Sequence, residues 1–168
     1  MNEQLGLIAV LGISYLLLNQ GNGCGCRGEK EQGYKQFKSE LYNITFKYPA
    51  AWTKNPNYEE RYDGSEGFVE IGEIEAFNRP IDTVAKQEIS IPIKPYGTKP
   101  KIMELELDGE PARVIVPSED QNKVFDRELA IIVKNKKPVK ENGETYDYAI
   151  IWTDKANLEM ILNSFKFL

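Results

Sequence analysis

Tyr42-Asn43-Ile44-Thr45-Phe46-Lys47-Tyr48-Pro49-Ala50-Ala51-Trp52 is the stretch that decides the fold. Up to Tyr48, aromatic and aliphatic residues stand at every second position, with polar residues between them. Because a strand sends alternate side chains to opposite faces, this spacing predicts one apolar face and one wet face. Pro49 cannot donate a ladder hydrogen bond, so we expect the strand to end there. The apolar face needs a covering layer, which the rest of the chain must supply.

Further strands follow from the same alternation or from β-rich composition. They are predicted at Phe68–Phe77, Lys101–Leu107, Ala112–Val116, Arg127–Val133 and Tyr146–Trp152, with a last short strand through Phe165 and Phe167. Asp108-Gly109 is a strong two-residue hairpin signal. In Phe68–Phe77 the apolar parity changes at Gly72, and a β-bulge there would restore one continuous buried face.

Two helices complete the predicted architecture. Asp82 is expected to cap a helix over Thr83–Ser90. Thr153-Asp154 supplies a cap for a second helix, in which apolar residues recur with helical spacing up to Phe165. The sequence therefore predicts an α+β domain, with an antiparallel sheet of six or seven strands flanked by two helices as an α/β/α sandwich.

The N-terminal segment is apolar but short. The run from Leu5 to Leu18 would be about 21 Å long as a helix, less than the roughly 30 Å hydrocarbon core of a bilayer. This length favours a signal peptide over a stable span, and Gly23-Cys24 then resembles the processing site of a bacterial lipoprotein. We expect residues 1–23 to be a signal peptide or membrane anchor, 24–40 a flexible tether, and 41–168 the folded domain, with Cys24 acylated. An uncleaved anchor is the alternative, because the nearest basic residues follow the apolar run.

Composition excludes several function classes. The 168 residues carry a net charge of −5 and contain no histidine. A mildly acidic, mixed surface argues against non-specific nucleic-acid binding. The lack of histidine removes histidine-based triads and most zinc sites, and no phosphate-cradling glycine loop or serine elbow is present. We therefore expect no catalytic residues, no metal site and no cofactor.

Three tyrosines are candidates for contact with a partner. Tyr58, Tyr62 and Tyr96 stand in predicted loops, where aromatic residues often anchor protein interfaces. Half-burial at the surface is the equally ordinary alternative. Lys134, Lys136, Lys137 and Lys140 form a local basic cluster, which indicates either contact with an anionic partner or a solvated loop.

Several motifs resemble those of PsbP-like domains. They are the Tyr42-x-Ile44-x-Phe46-x-Tyr48-Pro49-x-x-Trp52 strand, the Gly109-x-x-Ala112 turn and the terminal Ser164-Phe165-x-Phe167. The resemblance spans roughly Leu41 to Leu168. It implies an α/β/α sandwich around an antiparallel sheet, and protein binding without catalysis. No metal contact is implied for this chain, because those proposed for photosynthetic members involve histidine.

The leading hypothesis is a non-catalytic, extracytoplasmic protein-binding domain, secreted or tethered to a bacterial membrane as a lipoprotein. The first alternative is an accessory subunit of a larger membrane complex. The second is a hydrolase with an unrecognised site, which a Ser–Lys pair or a perturbed carboxylate pair in a deep pocket would favour.

Overall fold

The computed structural model describes residues 33–125 and 128–168, and this part of the chain contains ten strands, two α-helices and a short 3-10 helix. The strands are β1 (Tyr34–Ser39), β2 (Ile44–Pro49), β3 (Thr53–Lys54), β4 (Arg61–Gly64), β5 (Gly67–Ile74), β6 (Lys101–Leu107), β7 (Glu110–Val116), β8 (Glu128–Glu141), β9 (Glu144–Asp154) and β10 (Lys166–Phe167). The helices are α1 (Ile81–Ile89) and α2 (Leu158–Ser164), and the 3-10 helix spans Lys123–Phe125.

The strand predicted from the opening stretch is β2, and it lies at the centre of a buried cluster. Ile44 and Phe46 are fully buried, and Tyr48 is nearly so. The strand begins at Ile44, because Asn43 has a φ of 55°, a left-handed conformation that belongs to a turn. The prediction that this apolar face lies inside the domain is confirmed.

Strand β1 corrects the predicted boundary of the tether. All six residues of β1 pair with β2, from Tyr34 opposite Pro49 to Ser39 opposite Ile44. The composition of β1 is polar, but Phe37 is buried and stacks on Phe46 with ring centroids 4.8 Å apart. Backbone pairing with β2 and the burial of Phe37 thus place in the folded domain a segment that the sequence assigns to a flexible tether.

The strands form two antiparallel sheets. The smaller sheet has the order β1-β2-β10, and the larger has the order β3-β4-β5-β9-β8-β7-β6. The predicted bulge at Gly72 is wrong, because β5 pairs with β9 in one continuous register from Val69 to Ile74. The register shifts in β8 instead, between Lys134 and Val139.

Both faces of the larger sheet are covered, which explains the parity change at Gly72. On one face, Val69 and Ile71 pack in a cluster with β2 and α2. On the other face, Ile74 packs with α1. A strand buried on both sides has no need of a bulge to keep its apolar residues out of water. The predicted α+β class is confirmed: a seven-stranded antiparallel sheet lies between two helices, and the small sheet shares the side of α2.

The observed helix starts differ from the predicted caps. Helix α1 begins at Ile81 after Pro80, and no side chain caps it. Asp82 lies in the first turn and accepts a hydrogen bond from Arg113 Nε at 2.7 Å. The guanidinium of Arg113 is mostly buried on β7 and needs a charged partner. The carboxylate of Asp82 is therefore used in this ion pair and does not cap the helix.

Candidate functional site: an open cleft beside Tyr58

Of the three tyrosines predicted as partner contacts, Tyr58 is the most exposed, Tyr62 is partly buried and Tyr96 is buried. Tyr58 is 45% exposed. Tyr62 packs against the core, with its ring 4.9 Å from that of Tyr48 and 6.0 Å from that of Phe37. Tyr96 is 1% exposed, so its prediction as a contact residue is corrected.

The burial of Tyr96 has a structural cause. The proline-rich loop that carries it passes over the α1 side of the large sheet, where Tyr96 joins the buried cluster. Its hydroxyl donates to Glu88 Oε1 at 2.7 Å and accepts from Trp152 Nε1 at 3.0 Å. A buried phenol with both hydrogen bonds made is a core residue rather than a binding residue.

Tyr58 stands at an open cleft of about 430 Å³, which we call the Tyr58 cleft. Strands β4 and β5, the 3-10 helix and the adjoining ends of β8 and β9 form its walls. Its lining residues are Tyr58, Arg61, Asp63, Gly64, Ser65, Gly67, Phe68, Val124, Phe125, Glu128 and Asp154. Val124 is 76% exposed, so an aliphatic and an aromatic side chain are both accessible at this cleft.

Arg61 is the fixed centre of the cleft. Its guanidinium carbon lies 4.1 Å from the ring centroid of Phe68 and 4.9 Å from that of Tyr58, both within the range of cation–π attraction. The same guanidinium donates to Asp63 Oδ1 and to Glu70 Oε2, each at 2.9 Å. Burial alone would lower the pKa of Arg61, but the hydrogen bonds to Glu70 and Asp63 outweigh it, and the pKa is raised. The Tyr58 ring therefore packs against an arginine whose own position is fixed by two carboxylates.

Hydrogen bonds also attach the loop that carries Tyr58 to strand β4. Asn55 N donates to the carbonyl of Arg61 at 2.8 Å, and Asn55 Nδ2 donates to Asp63 Oδ2 at 2.6 Å. Tyr58 N then donates to the carbonyl of Asn55 at 3.3 Å. The accessible aromatic ring is thus presented on an ordered loop, which lowers the entropy cost of binding.

Glu128 is the carboxyl group of the cleft with the most altered acidity. Burial and the nearby charge of Glu70 raise the pKa of Glu128 to about 7, although Arg61 acts in the opposite direction. Asp154, its register partner on β9, is 1% exposed. The carboxylate of Asp154 accepts from Ala156 N at 2.8 Å and from Asn157 Nδ2 at 2.6 Å. Asp154 therefore closes the turn before α2 rather than serving as a second reactive group.

The carboxylates near Glu128 and a second polar pair bear on whether the described residues could support hydrolysis. Among the described residues, Asp63 and Glu70 are both engaged by Arg61, so neither is a free partner carboxylate for Glu128 of the kind that hydrolysis would need. Ser118 and Asp120 form a polar pair elsewhere, but hydrogen bonds from Ser118 and Thr98 lower the pKa of Asp120 to about 2, which makes it a poor base. Within residues 33–125 and 128–168, no group of three or more ligating side chains could hold a metal ion.

Sequence reasoning found Tyr58 but not Arg61, Val124 or Glu128. Arg61 and Glu70 face each other across the β4–β5 hairpin, and alternation around the Ser65-Glu66 turn was the signal that could have paired them. No local signal brings Val124 and Glu128 to Tyr58, because they arrive through the order of strands in the sheet.

The predicted lipidation site lies outside the described residues. This holds for Cys24 and for the whole predicted signal segment, residues 1–23. Among the residues that the structure does describe, no helix has both the length and the apolar character needed to cross a bilayer.

Comparison with known proteins gives one structural likeness. No family model matches the chain, and no curated protein matches it. The chain is similar to the solution structure of cyanobacterial PsbP (CyanoP) from Synechocystis sp. PCC 6803, with 11% sequence identity and a TM-score of 0.45. The likeness covers 88% of this chain and 98% of that chain.

Proposed function

We propose that this chain is a non-catalytic accessory domain that binds a protein partner through the Tyr58 cleft. In this proposal the domain works outside the cytoplasm, and Cys24 carries the lipid that holds it at a bacterial membrane. The observation that carries the binding role is the ordered, exposed Tyr58 ring beside exposed Val124, at a cleft whose arginine is already neutralised.

The chemistry of the cleft supports a protein partner. Tyrosine and arginine are the residue types that most often contribute strongly to protein interfaces. Here the Tyr58 ring is packed on Arg61, so a partner side chain can bury both without ordering either of them anew. Val124 adds apolar surface at the same mouth. A rigid aromatic anchor beside an aliphatic contact favours recognition of a folded protein surface.

A hydrolase is the competing proposal, and Glu128 is the observation in its favour. A carboxyl with a pKa of about 7 in a cleft resembles a general acid. The neighbouring carboxylates of Glu70 and Asp154 are both hydrogen-bonded to other groups of the chain, so neither is free to act with Glu128 as a nucleophile or base. Binding is therefore the better-supported function.

Site-specific photocrosslinking in the native host tests the proposal. The photoreactive residue p-benzoylphenylalanine would replace Tyr58 in the full chain, and the adducts would be identified by mass spectrometry. Phe77 is the matched control, because it is 71% exposed and does not line the cleft. We expect one recurrent protein adduct from position 58 and none in common with position 77. Scattered adducts from both positions would contradict the binding role.

The membrane attachment has its own test. Metabolic labelling with an alkyne analogue of palmitate should tag the wild-type chain, and Cys24→Ala should remove the tag. Cys26→Ala is the control and should keep it. An untagged wild type would exclude lipidation without affecting the crosslinking result. A stoichiometric partner within a purified membrane complex would identify the domain as a subunit of that complex.

A further inference from the structure

We propose that a second surface of this domain, far from Tyr58 in the chain, binds the anionic headgroups of a lipid bilayer. We call it the basic ridge. It consists of Lys136, Lys137, Pro138 and Lys140 on β8, with Leu41 and Leu168 beside them. The proposal does not depend on the Tyr58 cleft, and it holds whether or not Cys24 is acylated.

The ridge exists because of the irregularity in β8. The register of β8 against β9 shifts between Lys134 and Val139. Asn135 and Val139 are buried on either side of the shift, and the segment between them is exposed. The bulged segment therefore projects Lys136, Lys137 and Pro138 outward, as strand bulges commonly do. An open hollow of about 580 Å³ separates this segment from the β1–β2 turn and Leu168.

The charge of the ridge is cationic after local ion pairs are counted. Asp108 holds Lys136 Nζ at 2.9 Å, and the same ammonium lies 5.0 Å from the ring centroid of Phe167. Glu40, the carboxylate that lines the hollow, is paired with Lys38 at 2.6 Å. Lys137 and Lys140 are exposed and make no ion pair with any described residue. These two ammonium groups are the ones free to meet phosphate oxygens.

Exposed leucines distinguish the ridge from an ordinary solvated lysine loop. Leu41 is 38% exposed and Leu168 is 45% exposed, and both line the same hollow as the lysines. Leu168 is held in place because its backbone N donates to the carbonyl of Asn43 at 3.0 Å. Basic side chains that flank fixed aliphatic ones match a bilayer interface, where phosphates lie just above the first methylenes.

A second lysine-rich hollow on the domain lacks the exposed leucines that line the basic ridge. Lys99, Lys101 and Lys155 line it together with Ser118, but so do the carboxylates of Glu119 and Asp120. None of its lining residues is a large exposed hydrophobic side chain. Its surface therefore lacks the apolar component, and this hollow provides control positions for the test.

The test places an environment-sensitive fluorophore on the ridge of the full chain. Leu41→Cys would be labelled in a Cys24→Ser/Cys26→Ser background, and Ile93→Cys, at an exposed site after α1, would be the control. Vesicles of phosphatidylcholine alone are compared with equimolar phosphatidylcholine and phosphatidylglycerol. The apolar run at residues 5–18 is expected to bring the chain to both, so the difference between them isolates headgroup charge. We expect a blue shift at position 41 with anionic vesicles only, and none at position 93.

Charge reversal completes the test. Lys137→Glu/Lys140→Glu should weaken the position-41 response to anionic vesicles about tenfold or more, and added salt should do the same. Lys99→Glu/Lys101→Glu in the other hollow makes an equal charge change and should leave the response intact. Equal responses to both vesicle types, no response to either, or equal loss with both double variants would overturn the proposal. Tyr58→Ala should not change the response, so its outcome is separable from the proposed function.

Discussion

The fold raises the pKa values of two carboxyl groups, those of Glu128 and Glu73. Burial and the charge of Glu70 raise the pKa of Glu128 to about 7. Burial, followed by the charges of Glu141 and Glu59, raises the pKa of Glu73 to about 7 as well. The Oε1 atom of Glu73 is buried and makes no hydrogen bond within the described part of the chain. Ionisation of either carboxyl group therefore lowers the free energy of unfolding, and this destabilisation is present at neutral pH and above.

The first prediction concerns Glu128 and pH. Its pKa in the folded state is above the ordinary value of 4.5, so the folded state binds the proton more tightly than the unfolded chain does. The free energy of unfolding should thus fall as pH rises from about 4.5 to about 7. We expect Glu128→Gln to raise it by about 1 kcal/mol at pH 8, a value reduced for partial exposure to solvent, and to change it little at pH 5. Urea unfolding at both pH values measures the difference.

Glu119→Gln is the control for this pH effect. Glu119 is exposed in the loop after β7, and the substitution should leave the free energy of unfolding unchanged at either pH. An effect of Glu128→Gln that is the same at pH 5 and pH 8 would show that packing rather than ionisation is responsible.

At the scale of elements, three hairpin turns differ in how closely they are packed. Gly109 and Gly143 have φ of 88° in two-residue turns, and a side chain at either position would meet open space. Gly67, at the β4–β5 turn, has φ of 144°, and a Cβ there would collide with the carboxylate of Asp154. Asp154 is buried and cannot move aside without losing its bonds to Ala156 and Asn157. The β4–β5 turn is therefore packed against the end of β9, whereas the glycines of the other two turns face open space.

The second prediction compares these turns. Gly143→Ala imposes only the strain of a positive φ, so it should lower the free energy of unfolding by about 1 kcal/mol. Gly67→Ala adds the collision with Asp154, and we expect a loss of about 2 kcal/mol or more. Urea unfolding of both variants measures the difference. A loss at Gly67 no larger than that at Gly143 would mean that the turn does not press on Asp154.

At the scale of the whole molecule, the large sheet is a central layer with two different coverings. Ile131 and Val133 on β8 face the cluster formed with β2 and α2. Ile132, between them, faces the cluster formed with α1. All three are fully buried, so β8 is apolar on both faces over this length. Antiparallel sheets often leave one face to water, but over this length β8 does not.

The third prediction follows from the double covering. Ile131→Ala and Ile132→Ala remove side chains from opposite faces of one strand, and each should lower the free energy of unfolding by about 3 kcal/mol. Met103→Ala is the control, since Met103 is 47% exposed on the edge strand β6, and it should cost less than about 1 kcal/mol. A large loss at one isoleucine and a small one at the other would mean that one covering layer is loose.

Several features could be predicted because they depend on local sequence. Alternation located β2 and its buried face, and Asp108-Gly109 located the β6–β7 turn. The failures share a different cause. Strand β1 is polar and owes its order to pairing with β2, and Gly72 lies in a strand whose second face is buried by a helix elsewhere in the chain. In each failure the deciding neighbour is distant in sequence.

The candidate site shows the same division. Tyr58 could be predicted from the sequence because few aromatic residues stand in loops. The burial of Tyr96 could not, because it depends on contacts with Glu88 and Trp152, which the fold brings to it. Lipidation at Cys24, the membrane location and the partner stay predictions, and the experiments above address each of them.

The sequence by itself determined the α+β class, the position of β2 and the hairpin turn at Asp108-Gly109, because period-two spacing and turn chemistry act between residues a few positions apart. Only the tertiary structure decided that the central strands of the large sheet are buried on both faces, that Arg61 packs on Tyr58, and that the pKa of Glu128 is raised to about 7. Those features depend on which strands become neighbours in the sheet. Local side-chain preferences do not specify that order, which is selected by the burial of apolar faces from distant parts of the chain.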